Sequence, residues 1–238
     1  MIKQLYSKKD TEILYPESDN QLMADNTKQF RWIVLIKENL EILFANNPDV
    51  FVAGDLLWYP VEGNNKSRQA PDIMVVFGRP KGDRGSYQQW KEDNIAPQVV
   101  FEILSPGNRP QEMMSKLLFY QRNGVEEYYV YDPDKNQLTG MQKINERLEE
   151  IEEISGWISP RLNIRFELKE NTLEIYYPND RKFLTPVELD QLREQEYQRA
   201  EQERQAKEQA LAQLQEEQKR YQALIQRLQQ QGIDPNQL

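Results

Sequence analysis

Two kinds of hydrophobic spacing alternate along the chain. From Thr27 the apolar residues Phe30, Ile33, Val34, Ile36, Leu40, Leu43 and Phe44 recur at helical intervals, with Asn26 or Thr27 able to cap the start and "ANNPD" ending the run. Three apolar runs follow, separated by polar stretches: "VFVAGDLLWYP" (50–60), "PDIMVVF" (71–77) and "QVVFEIL" (98–104). The first reads as one strand with a bulge at Gly54–Asp55. The other two, apolar at nearly every position, read as strands covered on both faces. "VEGNNKSRQA" and "GRPKGDRGSYQQWKEDN" read as loops. "RPQEMMSKLLFYQRNG" predicts a helix opened by Pro110 and closed by Asn123–Gly124. "VEEYYVYDPDKNQ" predicts a fourth strand and a turn, and "LTGMQKI", "LEEIEEI", "IRFEL" and "TLEIYY" predict short strands extending the sheet.

The two ends differ from this middle. Residues 1–25 are polar without a period and read as an irregular arm. From Pro186 the chain is rich in Glu, Gln, Arg, Ala and Leu with no glycine until Gly232, which predicts one long helix. The organisation is therefore an arm (1–25), an α/β domain of the α+β kind with a mixed sheet (26–185) and a charged helix (186–238). Leu211, Leu214, Tyr221, Ile225 and Leu228 fit coiled-coil a and d spacing, with Gln218 at an a position; the same register meets Arg193, Arg204 and Lys207 upstream. A solvated helix and a short coiled coil joining two copies both fit this pattern.

Composition narrows the chemistry. The chain has 238 residues, a formal net charge of -9, no cysteine and no histidine. Disulfides, thiolate chemistry, Ser-His-Asp and Cys-His hydrolases and His-ligated zinc are excluded. Catalysis must use carboxylates, lysine, tyrosine or serine, together with a hard, oxygen-preferring cation such as Mg²⁺. No stretch approaches the roughly 20 apolar residues that span a bilayer, and no secretory signal is evident, so a soluble, cytoplasmic protein without a membrane partner is expected. The negative charge argues mildly against indiscriminate nucleic-acid binding but leaves room for a local basic surface.

One acid stands out. Glu102 sits inside "QVVFEIL", where a carboxylate is costly unless neutralised. Strand alternation puts it on the face of Val100 and Leu104, opposite Val99, Phe101 and Ile103. Asp72 opens the neighbouring run. If the two strands are adjacent, the carboxylates converge and a divalent cation relieves their repulsion. The alternatives are a strand-start Asp72 bonded to a nearby backbone NH and a structural ion pair between Glu102 and Lys116. Lys116 itself either reaches back to the strand ends or pairs at i,i+4 with Glu112 on the surface.

These residues carry a resemblance. The order αβββαβ, the Pro71–Asp72 dipeptide and "FEILSP" with Glu102 resemble the PD-(D/E)XK nuclease superfamily. More narrowly, "APDIMVVFG", "PQVVFEILSPGN", "EMMSKLLFY" and "NGVEEYYVYDPD" resemble the Uma-two family, once a domain of unknown function and regarded as restriction endonucleases. The resemblance runs from Thr27 to Leu184. It implies a restriction-endonuclease-like fold and a Mg²⁺- or Mn²⁺-dependent endonuclease in which Asp72 and Glu102 hold the metal and Lys116 assists. The lysine of the superfamily motif would fall at Leu104, so Lys116 on the next helix takes its place. Glu112 stands near a position where the family often has aspartate, and Asp55 is a further candidate acid, with a turn residue as its plainer reading.

The implied substrate is nucleic acid, with DNA expected. Arg68, Arg79, Lys81, Arg84 and Arg109 are candidate phosphate contacts, and Tyr87 and Trp90 are candidate stacking groups, although Asp83, Glu92 and Asp93 dilute that charge. Two rival functions remain: a nuclease fold that binds nucleic acid without cutting it, and an interaction protein paired through its terminal helix.

Overall fold

The computed structural model describes residues 13–17 and 26–230; most of the arm read over 1–25 and the end of the chain lie outside the described residues. In order, the elements are α1 (Thr27–Leu43), β1 (Val50–Gly54), β2 (Trp58–Tyr59), β3 (Ile73–Phe77), β4 (Tyr87–Gln88), a 3-10 turn (Gln89–Lys91), β5 (Val99–Ile103), α2 (Pro110–Arg122), β6 (Glu127–Asp132), β7 (Gln137–Ile144), β8 (Arg147–Glu150), β9 (Arg165–Leu168), β10 (Leu173–Tyr176) and α3 (Pro186–Gln230). Residues up to Thr185 and those from Pro186 onward form two separate units. Among the described residues no helix is long and apolar enough to cross a membrane.

The main sheet has six strands in the order β1-β3-β5-β6-β7-β8. It is mixed: β5 and β6 run parallel, joined through α2, and every other neighbouring pair is antiparallel. β5 lies inside the sheet with all five residues buried, as its unbroken apolar run predicts. Val99, Phe101 and Ile103 join Ile36 and Leu40 of α1 in one core layer. Val100 joins Met74, Val76, Tyr120 of α2 and Tyr128 in the other. Each fully buried Ile, Leu or Val contributes about 1.5–3 kcal/mol, so these two layers fix which helix each strand face meets.

Helix α1 starts where its sequence says. The Asn26 side chain accepts hydrogen bonds from the NH groups of Lys28 (3.0 Å) and Gln29 (2.8 Å), a cap that contributes about 1 kcal/mol. Its buried face departs from the apolar pattern, however. Phe30 is exposed, whereas Asn39 is wholly buried. Asn39 donates to the Leu184 carbonyl and accepts from the Leu184 NH and the Tyr177 hydroxyl, tying the end of the first unit to the helix.

Three further expectations are corrected. The run Val50–Pro60 is not one strand: Asp55 adopts a left-handed backbone (φ 48°) that ends β1, and β2 pairs instead with β4 in a separate two-stranded sheet. The stretch 78–94 is not simply a polar loop, since it contains β4 and the 3-10 turn and buries Tyr87 completely. The late strands do not all extend the sheet. β7 and β8 do, but β9 and β10 form their own hairpin, which lays Phe166, Leu173 and Ile175 on the α1 layer. Gly140 on β7 is a point of close approach: a Cβ there would lie 2.9 Å from Ile151 Cδ1.

Candidate nuclease site

Strand register brings three acids to one end of the sheet. Gly54 pairs with Ile73, and Ile73 with Phe101. Asp55 directly follows β1 and Asp72 directly precedes β3, so both lie at the end of the sheet where Glu102 of β5 stands just past its last β3 pair. Alternation gives Asp72 and Glu102 the face of Met74, Val76 and Val100, the layer covered by α2. Asp55 lies just beyond the last β1 pair, where its NH bonds the Pro71 and Asp72 carbonyls at 3.1 and 3.2 Å.

α2 supplies the groups that meet these acids. After β5, the Leu104 NH bonds the Tyr131 carbonyl, and the Asn108 side chain accepts from the Ser105 NH at 2.8 Å, closing a turn that sends the chain back over the sheet. Pro110 opens the helix with Arg109 at its N-cap. Glu112, Lys116 and Tyr120 then fall at i, i+4 and i+8 on one stripe. The stripe runs from water into the core: Glu112 is exposed, Lys116 half-buried and Tyr120 fully buried.

Glu102, only 2% exposed, receives both inner groups. The Lys116 ammonium lies 2.8 Å from Oε2, and the Tyr120 hydroxyl donates to Oε1 at 2.5 Å. Asp72 Oδ2 accepts the Ile103 NH of β5 at 2.6 Å, a bond across the sheet rather than to a local backbone NH. The same residue is held through its carbonyl, to which Gln29 Nε2 of α1 donates at 2.9 Å. Lys116 therefore bonds Glu102 rather than forming a surface pair with Glu112.

Electrostatics mark the group as one cluster. Burial works against the Lys116 charge, but Glu102, then Asp72 and Glu112, outweigh it and hold the ammonium above the usual lysine range. Burial pushes the Glu102 carboxyl up, opposed by Lys116 and by the Tyr120 hydrogen bond. Burial, and then Glu102, drive the Tyr120 hydroxyl well above its ordinary value. Tyr128, on β6 with its ring 5.1 Å from that of Tyr120, is raised by burial and by the charges of both Glu102 and Asp72. Its buried hydroxyl has no hydrogen-bond partner among the described residues.

The cluster can be tested for a divalent cation by its donors. Its ligands would be hard carboxylate oxygens, and each Glu102 oxygen accepts one hydrogen bond, leaving a lone pair on both. Among the described residues no three acidic side chains come together as a metal cage. Two carboxylates, with water completing the sphere, are how Mg²⁺ is commonly held, so the donor set fits that ion.

The basic candidates divide. Arg79 pairs with Glu92 at 2.9 Å and also with Asp93, Arg84 pairs with Glu92 at 2.7 Å, and Lys81 pairs with Glu41 at 3.2 Å. All three belong to the segment after Phe77, the end of β3 away from Asp72, where Lys81 bonds the Pro48 carbonyl. Trp90 of that segment packs on Tyr15. Arg68 is half-buried and donates to the Asn65 carbonyl. Arg109 is exposed and lines a cavity of about 370 Å³ with Leu104, Ser105, Asn108, Met113 and Asp132, at the C-terminal ends of the parallel strands β5 and β6.

The family model Uma2, described as "Putative restriction endonuclease", matches residues 23–163. The chain belongs to the Uma2 family. The match spans the six-stranded sheet, α1 and α2, and thus the whole cluster, and stops before β9, β10 and α3. Among solved structures, one described as a putative nuclease belonging to DUF820 from Anabaena variabilis is similar, at 16% identity and a TM-score of 0.43, over 57% of this chain and 73% of that one. No curated protein matches.

Within this Uma2 chain, sequence reasoning missed Tyr120, Tyr128 and Gln29. Tyr120 carried a legible signal, its i+4 spacing from Lys116. Gln29 carried none, since a polar residue in the first turn of a helix is ordinarily solvated.

Proposed function

We propose that this Uma2 protein is a divalent-metal-dependent endonuclease acting on nucleic acid, with DNA as the expected substrate. The observation that carries the reading is a buried Glu102 at the sheet end, opposite Asp72 in register, with the Lys116 ammonium 2.8 Å away. Asp72 and Glu102 would hold Mg²⁺ or Mn²⁺. When bound, that cation would acidify an attacking water and share the charge that builds on the phosphate. The chain's own groups do the rest. Tyr120 fixes the Glu102 carboxylate, the Ile103 NH fixes Asp72, and the Lys116 charge stabilises the phosphorane-like transition state. Arg109, exposed beside the cavity at the ends of β5 and β6, meets a backbone phosphate.

A second reading is favoured by one observation. Both Glu102 oxygens are already engaged and the side chain is only 3% exposed, an arrangement that suits a nuclease fold binding nucleic acid without cutting it. Incubating purified full-length protein with supercoiled plasmid or single-stranded RNA, in Mg²⁺, Mn²⁺ or EDTA, separates the two. The nuclease reading expects cleavage that requires the cation and falls by at least ~100-fold in Asp72→Asn and in Glu102→Gln. Retarded but intact nucleic acid under every condition would overturn it in favour of binding alone.

A further inference from the structure

The small β2–β4 sheet turns its two faces to different partners. Trp58 and its register partner Tyr87 face the core, where the Trp58 ring lies parallel to that of Tyr120 with centroids 6.4 Å apart. The next pair, Tyr59 and Gln88, therefore points the other way. Residues 13–17 are held across that outer face. The Tyr59 hydroxyl donates to the Pro16 carbonyl at 2.7 Å, the Asn65 amide to the Leu14 carbonyl at 2.9 Å, and the Gly63 NH to the Tyr15 hydroxyl at 2.5 Å.

These contacts build a cavity of about 370 Å³, lined in part by Tyr15, Glu62, Gln88, Trp90 and Lys91, a size within the usual range of ligand pockets. Its chemistry is mixed. The Tyr15 and Trp90 rings meet at 53° with centroids 4.8 Å apart, a corner rather than a closed stack, and both are half-buried. Gln88 spends its amide donor on the Ser86 hydroxyl at 3.2 Å, while its buried Oε1 has no partner among the described residues. Glu62 and Lys91 are exposed, and among the described residues neither is held in an ion pair. An aromatic corner, one cation and two acceptors match a nucleotide: a ring face for the base, a charge for the phosphate, and oxygens for the N–H groups of the base. The larger hollow beside Trp157, about 700 Å³, lacks that balance, because Glu149, Glu150, Glu152 and Glu153 line it without a cation and would repel a polyanion.

We propose that the cavity beside Trp90 binds one unpaired nucleotide, with its base stacked on Trp90 and its phosphate beside Lys91. A duplex hides the faces of its bases, so the strand is single at that position or the base is turned out of the stack. The free acceptors favour guanine, whose pairing edge carries adjacent N–H groups, over thymine, whose one N–H stands between two carbonyls. The inference deepens the reading of this chain as one that acts on nucleic acid and rests on it, but it does not require cleavage.

Fluorescence anisotropy with the full chain in EDTA, where cation-dependent cutting is off, tests it. The probes are a labelled single-stranded thymidine oligonucleotide, the same strand with one central guanosine, and the latter annealed to its complement. The guanosine strand should bind more tightly than the other two. Trp90→Leu should weaken its binding by about 5- to 150-fold, the range that loss of one base–aromatic stack gives. Trp90→Phe, which keeps a ring, should restore most of that loss, and Glu62→Gln should erase the preference for guanosine while thermal unfolding stays that of wild type. Trp90→Leu or Glu62→Gln protein that binds the three probes as wild type does would overturn the subsite, as would a wild type that prefers the duplex. Failure of the two readings is distinguishable. If the plasmid stays uncut while this binding pattern holds, nuclease activity falls and the subsite stands. If cutting requires the cation while Trp90→Leu binds as wild type, the subsite alone falls. A wild type that binds none of the probes would overturn both the subsite and the nucleic-acid reading beneath it.

Discussion

Tyr120 and Tyr128 offer a test of the buried cluster that does not depend on catalysis. Both rings are buried, they touch at 5.1 Å, and each can become phenylalanine without changing its packing. They differ in their hydroxyls. That of Tyr120 donates to Glu102 Oε1 at 2.5 Å, while that of Tyr128 has no partner among the described residues. Tyr120→Phe removes a donor from a buried carboxylate whose other oxygen faces Lys116, and hydrogen bonds to charged groups contribute about 1.5–3 kcal/mol. Tyr128→Phe removes a polar atom that was desolvated without compensation, and the same reasoning makes that change neutral or stabilising by up to about 1 kcal/mol.

For a domain of this size 1 kcal/mol shifts the melting temperature by roughly 2–4 °C. Tyr120→Phe should therefore lower it by about 3–12 °C and Tyr128→Phe leave it unchanged or raise it slightly. Thermal unfolding followed by far-UV circular dichroism in EDTA measures both without interference from bound metal. If Tyr128→Phe destabilises as much as Tyr120→Phe, the Tyr128 hydroxyl has a strong partner, such as a held water, and the reasoning about its isolation fails.

Two other expectations follow from single residues. Glu127 is a second buried acid, at the opposite end of β6 from the cluster, accepting bonds from Ser159, the Arg161 NH (2.7 Å) and Tyr129 (2.9 Å). Burial nevertheless raises its carboxyl above the ordinary range. The native state then holds the proton more tightly, so the contribution is fully present below the unfolded value of about 4.3 and is lost as pH rises through the native one. The stability of wild type relative to Glu127→Gln should fall as pH rises above the unfolded value in urea titrations; a difference that grows with pH would mean the hydrogen bonds outweigh burial. For nucleic-acid binding, measured by fluorescence anisotropy against salt, Arg109→Ala should weaken affinity and lower the salt slope by about 1. Arg79→Ala, which breaks pairs with Glu92 and Asp93 at the far end of β3, should change neither, and the reverse pattern would relocate the binding face.

Much of the fold was legible because β5 and its neighbours are covered on both faces, and a strand in that position has no freedom in composition. The failures share a cause: backbone geometry or a tertiary partner overrode the local pattern. Nothing in "VFVAGDLLWYP" states that Asp55 takes a left-handed conformation, since a Gly-Asp pair fits a bulge within one strand as well as a turn that ends it. The burial of Asn39 has no local signal, because its partners, Leu184 and Tyr177, are about 140 residues away in sequence. β9 and β10 show alternation, but alternation fixes which face of a strand is buried, not which strand it pairs with.

The site divides along the same line. Glu102 was conspicuous because a charge in a buried run demands compensation, and compensation is a statement about energy rather than about sequence neighbours. Lys116 was reachable from it, since the helix after a parallel strand must recross that strand and one of its stripes must face the acid. A helix stripe that delivers a lysine to a buried carboxylate also delivers the residue four positions later, deeper in the core, where only a group with an apolar body and a polar tip can sit. Tyr120 meets that description and takes the oxygen that Lys116 leaves. The basic loop had no such constraint: four cations and three acids within fifteen residues can satisfy one another, and Arg79 and Arg84 closing on Glu92 is the outcome that charge balance alone favoured.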